Sequence, residues 1–385
     1  MARVAVFHNT LDFRGGADAV CVHVCRALAT RHDVTLFTVS RTAPETVAAQ
    51  FDVDLRTVPA AAPRSATAGD SPTVRLAQPP GAAALAAGFA ALTPYVGPQL
   101  AARSVLLRAF VARRATAFDA AVSTANEVAL PLPSVQYVHF PQFHARRLAA
   151  GESGRLDPLW TRLGAPTTAD LASTRLLANS AWTADVVERR YDRRPTVCHP
   201  PVDPVDGRPW ADREPGVLVL GRVAPDKRVR EAITVVDRLR ERGYELTCHI
   251  VGTAPAAYRR YVGQVRAAAA DRPYVTLETD VARDRVETLL GQYRYGLNMK
   301  PHEHFGMAVA EYVAAGMVAF APADGGQADV LAGDDRLLFD GIDGAVDRIA
   351  AAVDGGLTPT LPRDRFGRDR FADAVQAHVA AVLPD

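Results

Sequence analysis

The chain has 385 residues, 48% of them apolar and 23% charged, the make-up of an ordinary soluble globular protein of roughly two domains. Its 44 basic and 43 acidic side chains nearly cancel, which argues against a nucleic-acid partner held through bulk positive charge while leaving local basic patches open. The N-terminus runs straight into Val4–Phe7, and no apolar run reaches the ~20 residues of a bilayer span, so a cytoplasmic protein is expected.

Short apolar strands alternate with longer amphipathic helices, the pattern of βα units around a parallel sheet. The first half predicts strands at Arg3–Phe7, Asp33–Val39, Ala120–Ser123, Val135–His139 and Arg175–Ala178. Helices are predicted over Ala17–Thr30 and Trp182–Arg190, the second with Ser180 as its N-cap. Residues 196–215, rich in Pro, Gly and Asp, read as an interdomain linker. The alternation then restarts with strands at Gly216–Leu220, Leu246–Val251, Tyr274–Leu277, Tyr295–Asn298 and Val318–Phe320, and helices at Val229–Arg242, Met307–Ala314 and Phe371–Val382. Two Rossmann-like parallel-sheet domains, 1–197 and 198–365, would face a central cleft, since open α/β sheets bind ligands beyond the carboxyl ends of their strands. The last helix, within 366–385, would pack back on the first domain.

Two stretches stand apart. Residues 79–116 are rich in Ala, Leu and Val, are broken by Pro94, Gly97 and Pro98, and carry Arg103, Arg108, Arg113 and Arg114. That pattern suits either a helix lying on a membrane surface or a helical insertion packed on the first domain with a solvated face. Cys21 and Cys25 lie four apart with His23 between them, but no second ligand pair has matching spacing. Buried apolar cysteines, not a metal site, are the expectation.

Only two lysines occur, Lys227 and Lys300, against 42 arginines. Where arginine serves almost everywhere, a retained lysine marks a place that wants a compact ammonium on a flexible stem, and phosphate oxygens are one such target. Arg222 and Lys227, after the first strand of the second domain, suit a diphosphate; positive charge near a helix start is otherwise mildly unfavourable. Gly306 marks the turn into a helix whose first N–H groups, with those of Met307 and Ala308, would face an anion. Were Glu303 and Glu311 both on that helix, they would stand roughly 12 Å apart. That exceeds the about 5 to 9.5 Å of a glycoside-hydrolysing pair and suits two carboxylates gripping hydroxyls of one elongated ligand. In the first domain Gly15-Gly16 opens the first helix without completing a dinucleotide fingerprint. His139 ends an apolar strand before Pro141, at the expected cleft.

Together these residues resemble the retaining glycosyltransferases of family four, which have the GT-B fold, from the first strand and Gly15-Gly16 to at least Asp329. The likeness is nearest to the dolichol-pathway mannosyltransferases that build a lipid-linked oligosaccharide, through 137–141, 178–183, 200–203, 303–306 and Gly325-Gly326. The resemblance implies that Arg222 and Lys227 stabilise the donor diphosphate, Glu311 binds the ribose, and Glu303, His304, Phe305 and Gly306 surround the donor sugar and distal phosphate, so that the N–H groups of Met307 and Ala308 would also be donor-binding. It implies His139 near the reacting centre and Gly16 near the phosphate or acceptor. No metal or other cofactor is implied, because the cations and helix N-terminus neutralise the leaving group. GDP-mannose is the first donor expected and a UDP-hexose the second, with a lipid-linked saccharide as acceptor and membrane contact through 79–116 at the cytoplasmic face. The family's acidic residue after Gly-Gly-Ala is Asp18 here instead of Glu, and no role transfers to Asn298 or Lys300. The alternative from another class is a non-catalytic subunit that binds nucleotide sugar or carbohydrate, which donor turnover, not donor binding, separates from the transferase; a nucleotide-sugar epimerase is a third, and it would consume donor without any acceptor.

Overall fold

The computed structural model describes residues 1–62, 71–97, 99–143 and 157–384, which form two compact units: Met1–Pro201 with Arg368–Asp385, and Val202–Gly367. In the first unit the elements run β1 (Arg3–Phe7), α1 (Gly16–Ala29), β2 (Asp33–Phe37), α2 (Pro44–Gln50), β3 (Arg56–Pro59), β4 (Thr73–Ala77), α3 (Ala82–Val96), α4 (Leu100–Ala112), β5 (Ala120–Ser123), β6 (Ser134–Val138), α5 (Asp157–Gly164), β7 (Thr174–Ala178), α6 (Ala181–Tyr191) and β8 (Thr196–Val197). The second unit carries β9 (Glu214–Leu220), α7 (Val229–Glu241), β10 (Thr247–Gly252), α8 (Arg259–Ala270), β11 (Val275–Thr279), α9 (Arg283–Gln292), β12 (Tyr293–Leu297), α10 (Met307–Ala314), β13 (Val318–Pro322), α11 (Gln327–Val330), β14 (Leu338–Phe339) and α12 (Gly341–Asp354). Helix α13 (Arg368–Ala380) returns to the first unit.

The first sheet has the order β3-β4-β2-β1-β5-β6-β7-β8 and the second β11-β10-β9-β12-β13-β14. Their described pairings are parallel, as short strands joined by helical crossovers require. Helices on both faces bury the central strands, so every residue of β6 is buried, Ser134 and Gln136 included. Helix α7 shows the complementary pattern: Val229, Ala232, Ile233, Val236 and Leu239 fall on one stripe and enter the core, leaving its arginines outside. Ser180 caps α6 by accepting from the Thr183 N–H at 3.0 Å. In α13, Phe371, Val375 and Val379 recur every four residues and bury against α1 and β6, with the Phe371 ring 6.1 Å from that of Tyr137. No helix among the described residues is long and apolar enough to cross a membrane.

Three sequence expectations need correction. The reading passed over α2, β3 and β4, because β3 is a half-exposed edge strand without a buried alternation. Residues 202–213 are no free linker: Val202 and Val205 join the second core, and the buried Arg213 guanidinium donates to the Ala315 carbonyl at 2.7 Å. Within 79–116, Pro98 lies outside the described residues, and the rest forms two helices. There Arg103 is not a surface charge; it is 2% exposed, beneath Phe89, and donates to the Thr10 hydroxyl and Val39 carbonyl at 3.2 Å each. Among the described residues of this stretch the large apolar side chains that are exposed are Leu85, Leu92 and Tyr95 on the charge-free α3, and Leu106 on α4.

Candidate functional site

The residues with site chemistry in the second unit stand where β9 and β12 end. Beyond β9, Gly221 takes φ +147°, open to glycine, and Gly252 on β10 approaches so closely that a Cβ there would lie 1.8 Å from the Gly221 carbonyl oxygen. The turn after it closes with Lys227 at the end of a single 3-10 turn, Pro225–Lys227, ahead of α7, so Lys227 precedes the helix by two residues and does not open it. Under the strand ends, the Tyr312 hydroxyl accepts the Leu220 N–H at 2.6 Å, and its ring covers Gly296, where any Cβ would meet it at 2.3 Å.

The loop after β12 is fixed by a second set of contacts. Gly326 donates its N–H to the Glu303 carbonyl at 2.7 Å, and a Cβ on Gly325, at φ +79°, would stand 2.5 Å from that oxygen. Buried Gln327 receives the Asn298 amide at 2.7 Å and donates to the Lys300 carbonyl at 3.0 Å. Gly325 thus lets one loop approach the backbone of the other, whereas Gly326, at φ −67°, has backbone that any residue adopts.

This frame brings Lys227 and Glu303 together: Nζ donates to Oε2 at 2.6 Å. Lys300 Nζ lies 3.8 Å from the other oxygen and 3.5 Å from Asp226, which in turn meets Arg222 at 3.4 Å. Burial alone would raise the Glu303 carboxyl, but the ammonium charges of Lys227 and Lys300, aided by His304, outweigh it and hold it at about 2. Gly306, at φ +101°, precedes α10, whose first internal bond runs from the Ala310 N–H to the Gly306 carbonyl; the N–H groups of Met307 and Ala308 have no acceptor within the helix. Such a helix start beside two ammonium groups is chemically suited to an anion with several oxygens. Glu311, about one turn further along α10, pairs with Arg283, which also meets Glu287 at 2.8 Å. Phe305 departs from the role the family implies: its ring is 3% exposed in the core, 5.5 Å from Phe366, which leaves only its backbone for a ligand.

In the first unit His139 follows β6 and is half-buried. The Asn126 side chain, set by an αL backbone at φ +68°, accepts the His139 N–H at 2.7 Å and the Phe140 N–H at 3.1 Å. The His139 ring faces the Thr124 carbonyl at 3.2 Å. Gly16 begins α1 after Gly15, where an added Cβ would meet nothing within 4 Å, so packing does not demand glycine there. Asp18 does structural work in this turn: one oxygen accepts the Gly15 N–H at 3.0 Å and the other meets buried His8 at 2.9 Å. Burial opposes a charge on His8, but Cys21 and Asp18 outweigh it and lift the imidazole to about 10. Sequence reasoning missed His8, Asn126, Asp226 and Arg283; charge-pair spacing would have found Asp226 beside Arg222, and nothing local marks the others. Among the described residues no three His, Cys, Asp or Glu side chains group as a metal site.

With this geometry in place, comparison with known proteins is informative. Residues 206–367 match the family described as glycosyl transferases group 1. The GDP-Man:Man(3)GlcNAc(2)-PP-Dol alpha-1,2-mannosyltransferase of Candida glabrata is 25% identical over 166 residues, 39% of this chain and 33% of that protein. The protein of the same name from Dictyostelium discoideum is 26% identical over 171 residues, 39% of this chain and 34% of that one. The chain thus spans about a third of the length of the curated relatives it matches. Among solved structures, HepE of Anabaena in complex with UDP superposes with a TM-score of 0.67 at 14% identity, covering 99% of this chain and 100% of that one, a likeness of GT-B fold. The second unit, with its lysine-bound Glu303 and the helix start at Gly306, is a domain of the glycosyl transferases group 1 family.

Proposed function

We propose that the chain is a retaining hexosyltransferase that moves mannose from GDP-mannose, or in second place a hexose from a UDP-sugar, onto a lipid-linked or glycan acceptor at the cytoplasmic membrane face, without a metal. The observation that carries it is the meeting of Lys227 and Lys300 at Glu303 beside the N-terminus of α10. Departure of a nucleoside diphosphate builds negative charge on the leaving phosphate, and preorganised cations and N–H groups lower the energy of that charge. In this reading Arg222, Lys227 and the N–H groups of Met307 and Ala308 hold the diphosphate, and Glu311 takes the ribose hydroxyls by exchanging Arg283 for them. Glu303, His304 and Gly306 surround the sugar, with Gly16 and His139 near the acceptor and reacting carbon. The acceptor hydroxyl attacks from the face the leaving group vacates, which keeps the configuration. The names of the Candida and Dictyostelium relatives support GDP-mannose, and the UDP complex of HepE supports the second choice. The charge-free helix α3, with Leu85, Leu92 and Tyr95 exposed, supports the membrane contact.

The test is calorimetric titration of the wild type and Lys227→Ala with GDP and then UDP in metal-free buffer, followed by turnover of the bound donor with a lipid-linked saccharide. Binding of one nucleotide that disappears in the variant, with an α-linked product from an α-linked donor, is the expected result. Binding of neither nucleotide to the wild type overturns the reading.

A further inference from the structure

Lys300 lies behind the ligand-facing groups, and neither the motif nor the family likeness gives it a role. Its side chain is 7% exposed against 21% for Lys227 and 49% for Arg222. A buried ammonium is costly unless opposite charges meet it, and Asp226 and Glu303 do so at 3.5 and 3.8 Å. The charges alternate along one row: Arg222, Asp226, Lys300, Glu303, Lys227. The Lys300 backbone is held from both sides, by its N–H to the Asn298 side chain at 3.3 Å and its carbonyl to Gln327 at 3.0 Å.

We infer that Lys300 is a positioning residue, which keeps Glu303 ionised and in place while Lys227 turns from Glu303 to the diphosphate of the donor. The inference rests on the reading of this site as one for a nucleotide diphosphate sugar. The two ends of the row, Arg222 and Lys227, are less buried than Lys300 and are the cations placed to meet a phosphate. Lys300 is locked in the middle. An anion that draws Lys227 away takes from Glu303 its nearest partner, the one at 2.6 Å. A buried carboxylate left without a cation takes up a proton, and a protonated Glu303 would offer a sugar hydroxyl a donor in place of an acceptor. Of the charged groups that face Glu303, Lys227 leaves, and Lys300 remains with His304 beside it. A compact ammonium serves two carboxylates from one point, which a planar guanidinium fork does not, and this accounts for a second lysine in a chain that otherwise uses arginine.

The experiment is carbon-13 NMR titration of the full chain labelled at the glutamate carboxyl carbon, with the Glu303 signal identified by its loss in Glu303→Gln. Removing Lys227 mimics its recruitment. In Lys227→Ala, Glu303 still titrates below the ordinary value of 4.5; in Lys227→Ala/Lys300→Met it titrates above it. A Lys227→Ala protein whose Glu303 titrates at or above 4.5 overturns the inference, and this single variant decides if the double one does not fold. With donor and acceptor, Lys300→Met moves the acid limb of the turnover profile up by about one pH unit or more, and Lys300→Arg, which keeps the charge but not the compact geometry, restores it only in part. An unmoved acid limb also overturns the inference. Failure of the donor-site reading has a different signature, a wild type that binds neither GDP nor UDP while the carboxyl titrations run as described.

Discussion

Lys227 and Lys300, the chain's only lysines, take opposite oxygens of one carboxylate: Lys227 reaches Glu303 Oε2 at 2.6 Å and Lys300 faces Oε1 at 3.8 Å. They are far apart in sequence, one after β9 and one after β12, and those strands are hydrogen-bonded neighbours in the sheet. Adjacent strands in a parallel sheet end on the same side, so two loops distant in sequence share one ligand-binding edge.

Loss of the Lys227 ammonium should remove nucleotide binding without unfolding the chain. Glu303 keeps Lys300 in the variant, so the stability cost stays below the about 3–5 kcal/mol of a carboxylate stripped of every partner. We expect Lys227→Ala to weaken binding of the preferred nucleoside diphosphate about 100-fold or more, from the loss of a charge-assisted contact of ~3 kcal/mol. Calorimetry beside a thermal melt checks both halves; an unfolded variant, or one that binds as the wild type does, contradicts this account.

Glu303 also sets an acid limit on stability. Its folded value of about 2 lies below the ordinary 4.5, so its contribution is complete above pH 4.5 and is lost as pH falls through 2. The gap corresponds to about 3 kcal/mol. Urea unfolding followed from pH 6 to pH 3 should show the wild type losing more stability than Glu303→Gln, whose slope lacks this component. Parallel slopes for the two proteins would falsify the assignment of the low titration to Glu303.

The buried His8–Asp18 pair acts in the opposite direction. His8 is lifted from 6.5 to about 10, so what it contributes is complete below pH 6.5 and disappears as pH rises through 10. Stability of the wild type should therefore fall between pH 7 and pH 10 relative to Asp18→Asn, in which the imidazole has lost its carboxylate. The ratio of unfolding midpoints at pH 7 and pH 9.5 is the measurement, and a ratio equal in both proteins counts against the pair.

Two glycines give contrasting outcomes. Gly252→Ala would place a methyl 1.8 Å from the Gly221 carbonyl oxygen, and backbone has to move to admit it. That overpacking should cost about 1–3 kcal/mol or more and shift the Arg222 loop, weakening nucleotide binding as well. Gly263→Ala, in α8 with nothing within 4 Å, should gain about 0.5–1 kcal/mol from helix propensity alone and leave binding unchanged. Thermal melts of the two variants settle the comparison.

The apolar stripe of α3 carries the membrane proposal. Leu85, Leu92 and Tyr95 share one face at helical spacing, and each is exposed. Replacing all three by serine removes little packing, so the melting temperature should hold while co-sedimentation with lipid vesicles falls several-fold, since burial of each large apolar side chain contributes about 1.5–3 kcal/mol. Vesicle binding equal to wild type would place the contact elsewhere or remove it.

The sequence by itself determined the class of this protein. Alternating strands and helices, the glycine at the start of α10, the Arg222–Lys227 pair, and Glu303 and Glu311 around Gly306 are local patterns, and local patterns are legible because strand and helix periods and turn chemistry act over a few residues. The rarity of lysine even marked Lys300, although no spacing rule gave it a partner. Tertiary structure decided the rest. Arg103, which spacing placed on a solvated face, is buried under Phe89, and Phe305 turns its ring into the core. The row from Arg222 to Lys227 through Lys300, the Asn126 clamp on His139, and the Arg283 partner of Glu311 join residues from separate loops or helices. Which loops meet depends on the order of strands in the sheet, a non-local property fixed by packing of the two cores and carried by no short stretch of chain.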